Sequence, residues 1–359
     1  MELGAVIVVP GNGDFMTIQE TQLRVPPVSE NPRPLYSSRM PILGNDVLHS
    51  WTERVRKLGV QSLWLTSAPD RDTNNDKINT NEAESTIWSG LRRFARQGVE
   101  RFLMITLKSY AEMDLADLVR FHCENRNPVT EARDGRRQLG VCLLDHSVLD
   151  PSNADHGKHE FPGANDAGRV PYQFRGYAKR ILSAKERQEL VGDALTGACA
   201  MRPFGKQIRE QVWIGEGVDL AESVRVIGPT YIGEHTVVRA GVTIGPFASV
   251  ERDCVVDCGT TVERSTVLPY TYLAPGLLIR NGLVDGRYLE DLAGGAVVDL
   301  EPAGLGSRIE RPESRRQAVR DTHIPRHDFL GAPARANATL TWDFASTSTA
   351  TQPWLRVQL

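Results

Sequence analysis

Every sixth residue from Ile214 onward is aliphatic: Ile214, Leu220, Val226, Ile232, Val238, Ile244, Val250, Val256, Val262 and Leu268. Four positions after each of the first nine stands a small or β-branched residue, in the order Val218, Val224, Thr230, Thr236, Val242, Ala248, Cys254, Thr260 and Thr266. The residue directly after the aliphatic is often small or polar, as at Gly215, Ala221, Gly233, Gly245 and Asp257. A period of six matches neither the 3.6 of an α-helix nor the alternation of a half-exposed strand. It fits a triangular coil in which each side takes six residues and turns one aliphatic toward the axis. Stacking such coils buries the aliphatics in columns and lets each coil bond the backbone of the next. The pattern therefore predicts a left-handed parallel β-helix from about Ile214 to Asp285, inside a domain over 212–300. Beyond Leu268 the register loosens through Tyr270, Tyr272, Leu273, Leu277, Leu278 and Ile279, as expected of a terminal coil. From roughly Gly306 the chain turns to Arg, Glu, Pro and Ser (Ser307-Arg308-Ile309-Glu310-Arg311-Pro312). Residues 301–359 read as a tail, partly disordered or wrapped on another surface.

Before Ile214 the period changes. Apolar runs that suit strands alternate with amphipathic stretches that suit helices, which predicts a mostly parallel sheet with helices on both faces over 1–182. The run Ala5-Val6-Ile7-Val8-Val9 reads as a buried parallel strand. Val47 to Gly59 reads as a helix ended by Gly59 at C′, and Val60 to Thr66 as the next strand. Helices follow over Thr86–Gly98 and Asp114–Glu124, and strands over Arg101–Thr106 and Gly140–Asp145. Asp150 to Gly168, rich in Asp, Asn, Gly and His, reads as a long loop. Ser183-Ala184-Lys185-Glu186 has the spacing of a capping box. It opens a connector helix to about Val191, within a linker over 183–211.

Composition narrows the function classes. The net charge is −3, so no basic surface argues for nucleic acid or an anionic membrane. No apolar run is long enough for a bilayer span, and the N-terminal run lacks the basic region of a signal peptide. Five scattered cysteines without a Cys-x-x-Cys pair fit reduced thiols, and the expected location is the cytoplasm.

An α/β domain followed by a hexapeptide β-helix resembles the sugar-1-phosphate nucleotidyltransferases, the NDP-sugar pyrophosphorylases. Ala5-Val6-Ile7-Val8-Val9-Pro10-Gly11-Asn12-Gly13 is similar to the family's first strand and Gly-rich loop. Pro41-Ile42-Leu43-Gly44-Asn45-Asp46-Val47-Leu48 is similar to its Pro-Ile-x-Gly-x-Pro-Leu-Leu, and Lys57-Leu58-Gly59-Val60 to its next strand entry. Arg101 to Ile105, with Asp114 to His122, resembles the strand and helix flanking the family's Gly-Asp metal site. Leu268-Pro269-Tyr270-Thr271-Tyr272 and Val284-Asp285-Gly286 look like members encoded with exopolysaccharide assembly genes. The resemblance implies a doubly wound, Rossmann-like nucleotidyltransferase domain, a nucleotide or sugar-nucleotide ligand, and a homo-oligomer formed through the β-helix.

In that family a sugar phosphate attacks the α-phosphorus of a nucleoside triphosphate. The work is positioning and neutralising charge, through a Gly-rich loop, basic side chains and an Asp that holds Mg²⁺. Gly11 and Gly13 keep the loop's turn and are the candidate nucleotide-binding glycines. Asp14 and the following Phe15-Met16 replace the family's Thr-Arg-Leu. A carboxylate about 4 Å from a phosphate oxygen would be repelled by roughly 4 kcal/mol at an effective dielectric near 20. Ser37 falls where the signature lysine is expected, leaving Arg39 as the candidate phosphate contact. Lys108 falls where the metal aspartate is expected, and a lysine cannot hold Mg²⁺. The resemblance thus implies Mg²⁺ as a cofactor only if the chain is active, and the residues imply a degenerate catalytic site. An active enzyme using Arg39 and Lys108 is the alternative.

Other chemistries find less support. A β-helix acyltransferase needs a coil-edge histidine as base. The repeat holds one, His235, in Gly233-Glu234-His235-Thr236, with no inserted loop beside it. A β-helix carbonic anhydrase site needs three histidines from neighbouring coils. Cys254 stands on the small-residue column as a core thiol, and Cys258 is not paired with it at i, i+3. His146, His156 and His159 share a stretch with Asp145, Asp150 and Asp155, where a metal site competes with a flexible polar loop. A scaffold that stacks on copies of itself is the remaining class.

Overall fold

Strand β1 (Leu3–Pro10) lies between two parallel neighbours, β2 (Ser62–Ala68) and β3 (Arg101–Thr106). The computed structural model describes residues 3–10, 41–60, 62–68, most of 91–100, 101–149, 169–309, and the short strands 339–341 and 356–358. These fall into two compact units. Among the described residues, the first holds β1 and Asp46–Glu186, and the second holds Pro41–Asn45 and the chain from Arg187 onward.

In the first unit β1 is apolar on both faces. Val6 and Val8 join Phe102 and Met104 of β3 in one cluster with Leu91, Val99, Cys142, Leu144 and Leu149. On the opposite face Ala5, Ile7, Leu103 and Ile105 are equally buried. A strand covered on both faces reads as a continuous apolar run, which is why the alternation of an exposed strand is missing. Helix α1 (Val47–Lys57) buries Val47, Trp51 and Val55, a stripe of spacing four. The Asp46 carboxylate accepts the Leu48 and His49 amides at its start, and Gly59 at φ +78 closes it. Helix α2 (Leu115–Asn125) is capped by Asp114 in the same way.

The sheet is mixed: β2, β1 and β3 are followed by Arg137–Asp145, Val129–Asp134 and Arg169–Gln173, and three of the five pairings are parallel. Strands β5 (Val129–Asp134) and β6 (Arg137–Asp145) form a hairpin around Gly135-Arg136, with Gly135 at φ +58. A two-residue turn forces an antiparallel pair, so β6 runs antiparallel to β3 and to β5. Strand β7 (Arg169–Gln173) then adds to β5 in parallel. The short strands β4 (Ser109–Ala111) and β8 (Ala178–Arg180) pair separately.

Helix α3 (Ala184–Thr196) carries the chain into the second unit and runs five residues beyond Val191. Ser183 Oγ accepts the Glu186 amide at 3.2 Å, while the Glu186 carboxylate accepts the Leu182 amide at 2.9 Å.

The second unit is a three-sided stack of short parallel strands. Ile214 faces Ile232 and Ile232 faces Val250, each 18 residues on; Leu220, Val238 and Val256 follow the same spacing, as do Val226, Ile244 and Val262. Three sides of six residues therefore close one circuit. The inward aliphatics form one cluster, from Ile232 and Val238 to Leu273, Ile279 and Val284. From Thr230 onward the column four positions on is buried too, and hydroxyls in it bond the next coil. Thr236 Oγ1 donates to the Glu251 carbonyl at 2.9 Å, and Thr260 Oγ1 to that of Ala274 at 2.7 Å.

The register shifts twice, the first time after Val262. Val250 faces Val267, 17 residues on, so Val267 and not Leu268 enters the column. The corner Glu263-Arg264-Ser265 is one residue shorter than the matching Gly245-Pro246-Phe247-Ala248 stretch. After that omission the spacing of six resumes at Leu273 and Ile279, and a second residue is omitted before Val284, so the apparent loosening is two single-residue omissions. Antiparallel strands Tyr288–Asp291 and Val297–Asp299 finish the stack. Gly306–Arg308 pairs with Thr271–Leu273, so the first part of the expected tail is folded on the coil. Apart from the two short strands 339–341 and 356–358, the rest of it lies outside the described residues.

Candidate functional site

Parallel strands β1, β2 and β3 end on the same edge of the sheet, the edge where open α/β sheets take ligands. Gly11, Gly13, Asp14, Ser37 and Arg39 follow β1 in sequence and lie outside the described residues. Lys108 is described. It stands two residues past the end of β3 with its side chain in solvent.

Its backbone is fixed from both sides. The Leu107 amide donates to the Val8 carbonyl at 3.0 Å, extending the β1–β3 ladder by one bond. The Lys108 amide donates to the Thr106 carbonyl at 2.7 Å, and its carbonyl accepts the Ile181 amide at 3.0 Å. Beside it Gly140, at φ +76, lets β6 approach: a Cβ there would stand 2.5 Å from the Thr106 carbonyl oxygen. The buried Ser109 hydroxyl donates to the Leu139 carbonyl at 2.5 Å. The backbone of Lys108 is thus fixed at the sheet edge while its side chain faces solvent.

Sequence reading missed Arg54, which governs the segment after Lys108. Its guanidinium lies 4.2 Å over the Trp51 ring and donates to the carbonyls of Ala111 (2.8 Å) and Met113. Burial lowers its pKa, against the pull of Tyr110, Asp114 and Glu112. The signal was Trp51 and Arg54 three apart on one helix. Of the nearby acids, Asp114 is committed to the α2 cap and Glu112 accepts the Tyr110 hydroxyl at 3.2 Å. Lys108 stands where the resemblance places the metal aspartate, and a lysine does not ligate magnesium. Among the described residues no three His, Cys, Asp or Glu side chains group as metal ligands.

A second polar constellation, also unforeseen, crosses α2 and the β5–β6 hairpin. Buried His122 contacts Thr130 Oγ1 through Nδ1 at 2.8 Å and Asp145 Oδ1 through Nε2 at 3.2 Å. Arg101 Nε holds the same carboxylate at 3.0 Å. Burial pushes the His122 pKa down, with Asp145 opposing. Thr130 is fully buried, so no substrate reaches its hydroxyl, and the triad of contacts is structural.

The remaining candidates separate. His146 is exposed in a 3₁₀ turn, while His156, His159, Asp150 and Asp155 lie outside the described residues. His235 is an exposed corner residue at φ +56. Cys254 is buried, its thiol pushed well above the usual range by burial, and Cys258 is exposed.

No protein-family model matches the chain. Over 190 residues it is 32% identical to a UTP–glucose-1-phosphate uridylyltransferase of Synechocystis sp., covering 51% of this chain and 49% of that protein. Over 237 residues it is 26% identical to the bifunctional protein GlmU of Mycolicibacterium smegmatis, covering 61% and 42% respectively. A GlmU of Pelobacter propionicus is 26% identical over 137 residues, 36% of this chain and 28% of that protein. The chain thus spans about half the length, or less, of the curated relatives it matches. These similarities support the resemblance to the sugar-phosphate nucleotidyltransferases. No described helix is long and apolar enough to cross a membrane.

Proposed function

We propose that this chain is a divergent sugar-1-phosphate nucleotidyltransferase-like protein that binds a nucleotide or sugar nucleotide in polysaccharide metabolism of the exopolysaccharide type. In this reading residues 1–182 handle the nucleotide, 212–300 form a left-handed hexapeptide β-helix, and copies associate through that coil. The observation that carries it is Lys108, an exposed cation at the end of a parallel strand, in a chain similar over half its length to a uridylyltransferase. A cation there attracts phosphate but repels magnesium. Ligand binding therefore proceeds without the metal, and ordinary Mg²⁺-dependent pyrophosphorolysis is lost.

The test pairs two measurements on wild-type protein. Thermal shift with UTP and UDP-glucose, with and without Mg²⁺, should show metal-independent stabilisation. Pyrophosphate release from UTP and glucose 1-phosphate should stay at background. Turnover at 1–10³ s⁻¹, the usual enzyme range, would overturn the degenerate reading. The exposure of Lys108 also favours a second reading, an active enzyme in which Arg39 and Lys108 carry the phosphates. Metal-independent pyrophosphate release that disappears in Lys108→Ala would select it.

A further inference from the structure

The two ends of the coil are finished differently. At the C-terminal end the antiparallel strands Tyr288–Asp291 and Val297–Asp299 close the stack, and Leu289 and Leu300 are each 1% exposed. At the N-terminal end the axial column lies open. Ile214, Leu220 and Val226 of the first coil are only partly buried, whereas their partners Ile232, Val238 and Ile244 in the second coil are buried completely. Ile208, on the strand before the first coil, is 52% exposed, and Ile227, directly after Val226, is 39% exposed. A solenoid normally ends in a cap whose outer face is polar. The strand Lys206–Arg209 pairs with Val212–Ile214 and so extends one of the three sides, leaving the other two bare.

Three strand edges are open here among the described residues: Lys206–Arg209, Asp219–Leu220 and Arg225–Val226, each the last strand of its sheet. Open edges are commonly blunted by charge, lysine above all, so that copies of a protein do not pair along them. A device of that kind places one sign on every edge. In this coil the signs differ. The first edge carries Lys206 and Arg209, and all four of its residues are exposed. The second carries Asp219, with Glu216 and Glu222 at the corners on either side, all three exposed. The third carries exposed Arg225.

A basic edge and an acidic edge on one end face make that face complementary to itself. A closed two-fold contact demands this property, because the same patch meets its own copy. One such rotation lays the basic strand of one copy along the acidic edge of the other and repeats the contact reciprocally. It sets the Arg225 edge opposite itself, so that side adds no attraction. Charge then fixes the partner and its orientation, while the open axis supplies apolar area. We propose, on the reading above that copies associate through the coil, that its N-terminal end is a self-docking face joining two copies of this chain end to end about a two-fold axis.

Sedimentation velocity on four full-length proteins tests it: wild type, Lys206→Glu, Asp219→Lys and the double variant. Wild type should run as a reversible dimer, with Kd read from a dilution series. Each reversal alters two contacts per dimer, so each single variant should weaken Kd by about tenfold. The double variant exchanges the signs and should bind more tightly than either single variant. All four should melt within about 2 °C of one another, since both positions are exposed. Single variants that dimerise like wild type place the contact elsewhere; they overturn the end-to-end face and leave association through the coil standing. A double variant no tighter than either single one overturns it as well, by removing the pairing of signs. A wild type of three or more copies refutes the two-fold arrangement. A wild type that stays monomeric throughout the series sinks both the face and the association itself.

Discussion

Val237 and Val238 are neighbours in sequence on the same short strand, yet a charge should affect them in opposite ways. Val238 is 1% exposed and lies in the axial column between Leu220 and Val256, within the apolar cluster of the coil. Val237 is only partly buried and belongs to the outer face, because side chains on a strand alternate. In Val238→Asp the lost apolar burial costs about 2 kcal/mol. The new carboxyl finds no hydrogen-bond partner in the axis; even protonated it costs a further ~2–4 kcal/mol. The total of about 4–6 kcal/mol is a large part of the 5–15 kcal/mol that stabilises most domains. At 2–4 °C per kcal/mol for a unit of this size, Tm should fall by roughly 10–20 °C, and soluble expression should collapse. Val237→Asp should move Tm by no more than about 2 °C, as surface changes commonly do. Differential scanning calorimetry on the two variants, with circular dichroism to confirm the fold, reads the contrast. A Val238→Asp protein that melts with wild type would refute the axial placement. A Val237→Asp protein that melts as low as Val238→Asp would refute the alternation.

Other predictions concern the first unit. His122 releases its proton more readily when folded than in the unfolded chain, where its pKa is 6.5. The unfolded state therefore binds more protons below that value, so the contribution of His122 is complete above pH 6.5 and is lost as pH falls toward the folded pKa. Melting curves from pH 8 to 5 should show a steeper loss below 6.5 in wild type than in His122→Gln; parallel curves would sink the assignment. Gly140→Ala should destabilise the first unit by at least about 1–2 kcal/mol, the cost of a left-handed alanine, before the 2.5 Å approach to the Thr106 carbonyl oxygen is counted. Urea unfolding followed by tryptophan fluorescence measures it. Lys108→Asp should invert the metal response of ligand binding, so that UTP stabilises the protein only when Mg²⁺ is present. Metal-independent stabilisation equal to wild type would show that Lys108 does not meet phosphate.

The second unit was legible because its signal repeats. Each inward aliphatic from Ile214 to Val262 sits in a column whose neighbours lie 18 residues away, so one misread position barely alters the pattern. The error at Leu268 had a local cause: a corner lost one residue, and two adjacent apolar side chains, Val267 and Leu268, both qualified for the column. The buried carboxylate of Glu251, which accepts the Leu43 and Gly44 amides, was illegible for the opposite reason. Those partners stand more than two hundred positions away, and no periodicity links a carboxylate to two backbone amides. The hairpin at Gly135 had a local turn signal that was overlooked. The His122–Asp145 contact had none, because a histidine on the apolar stripe of α2 looks like any core residue until the hairpin packs against it. Lys108 lies between these cases. Spacing from Asp114 singled it out, and it stands two residues past the end of β3, but which atoms fix it there (the carbonyl of Thr106 and the amide of Ile181) depends on strands that sequence spacing does not align. Redundant, short-range regularities survive single errors, whereas a site is built from single, long-range contacts. For this chain, then, the fold could be read from the sequence with more security than the chemistry at Lys108. A substitution at Lys108 tests more of the nucleotide reading than any change in the axial column of the repeat.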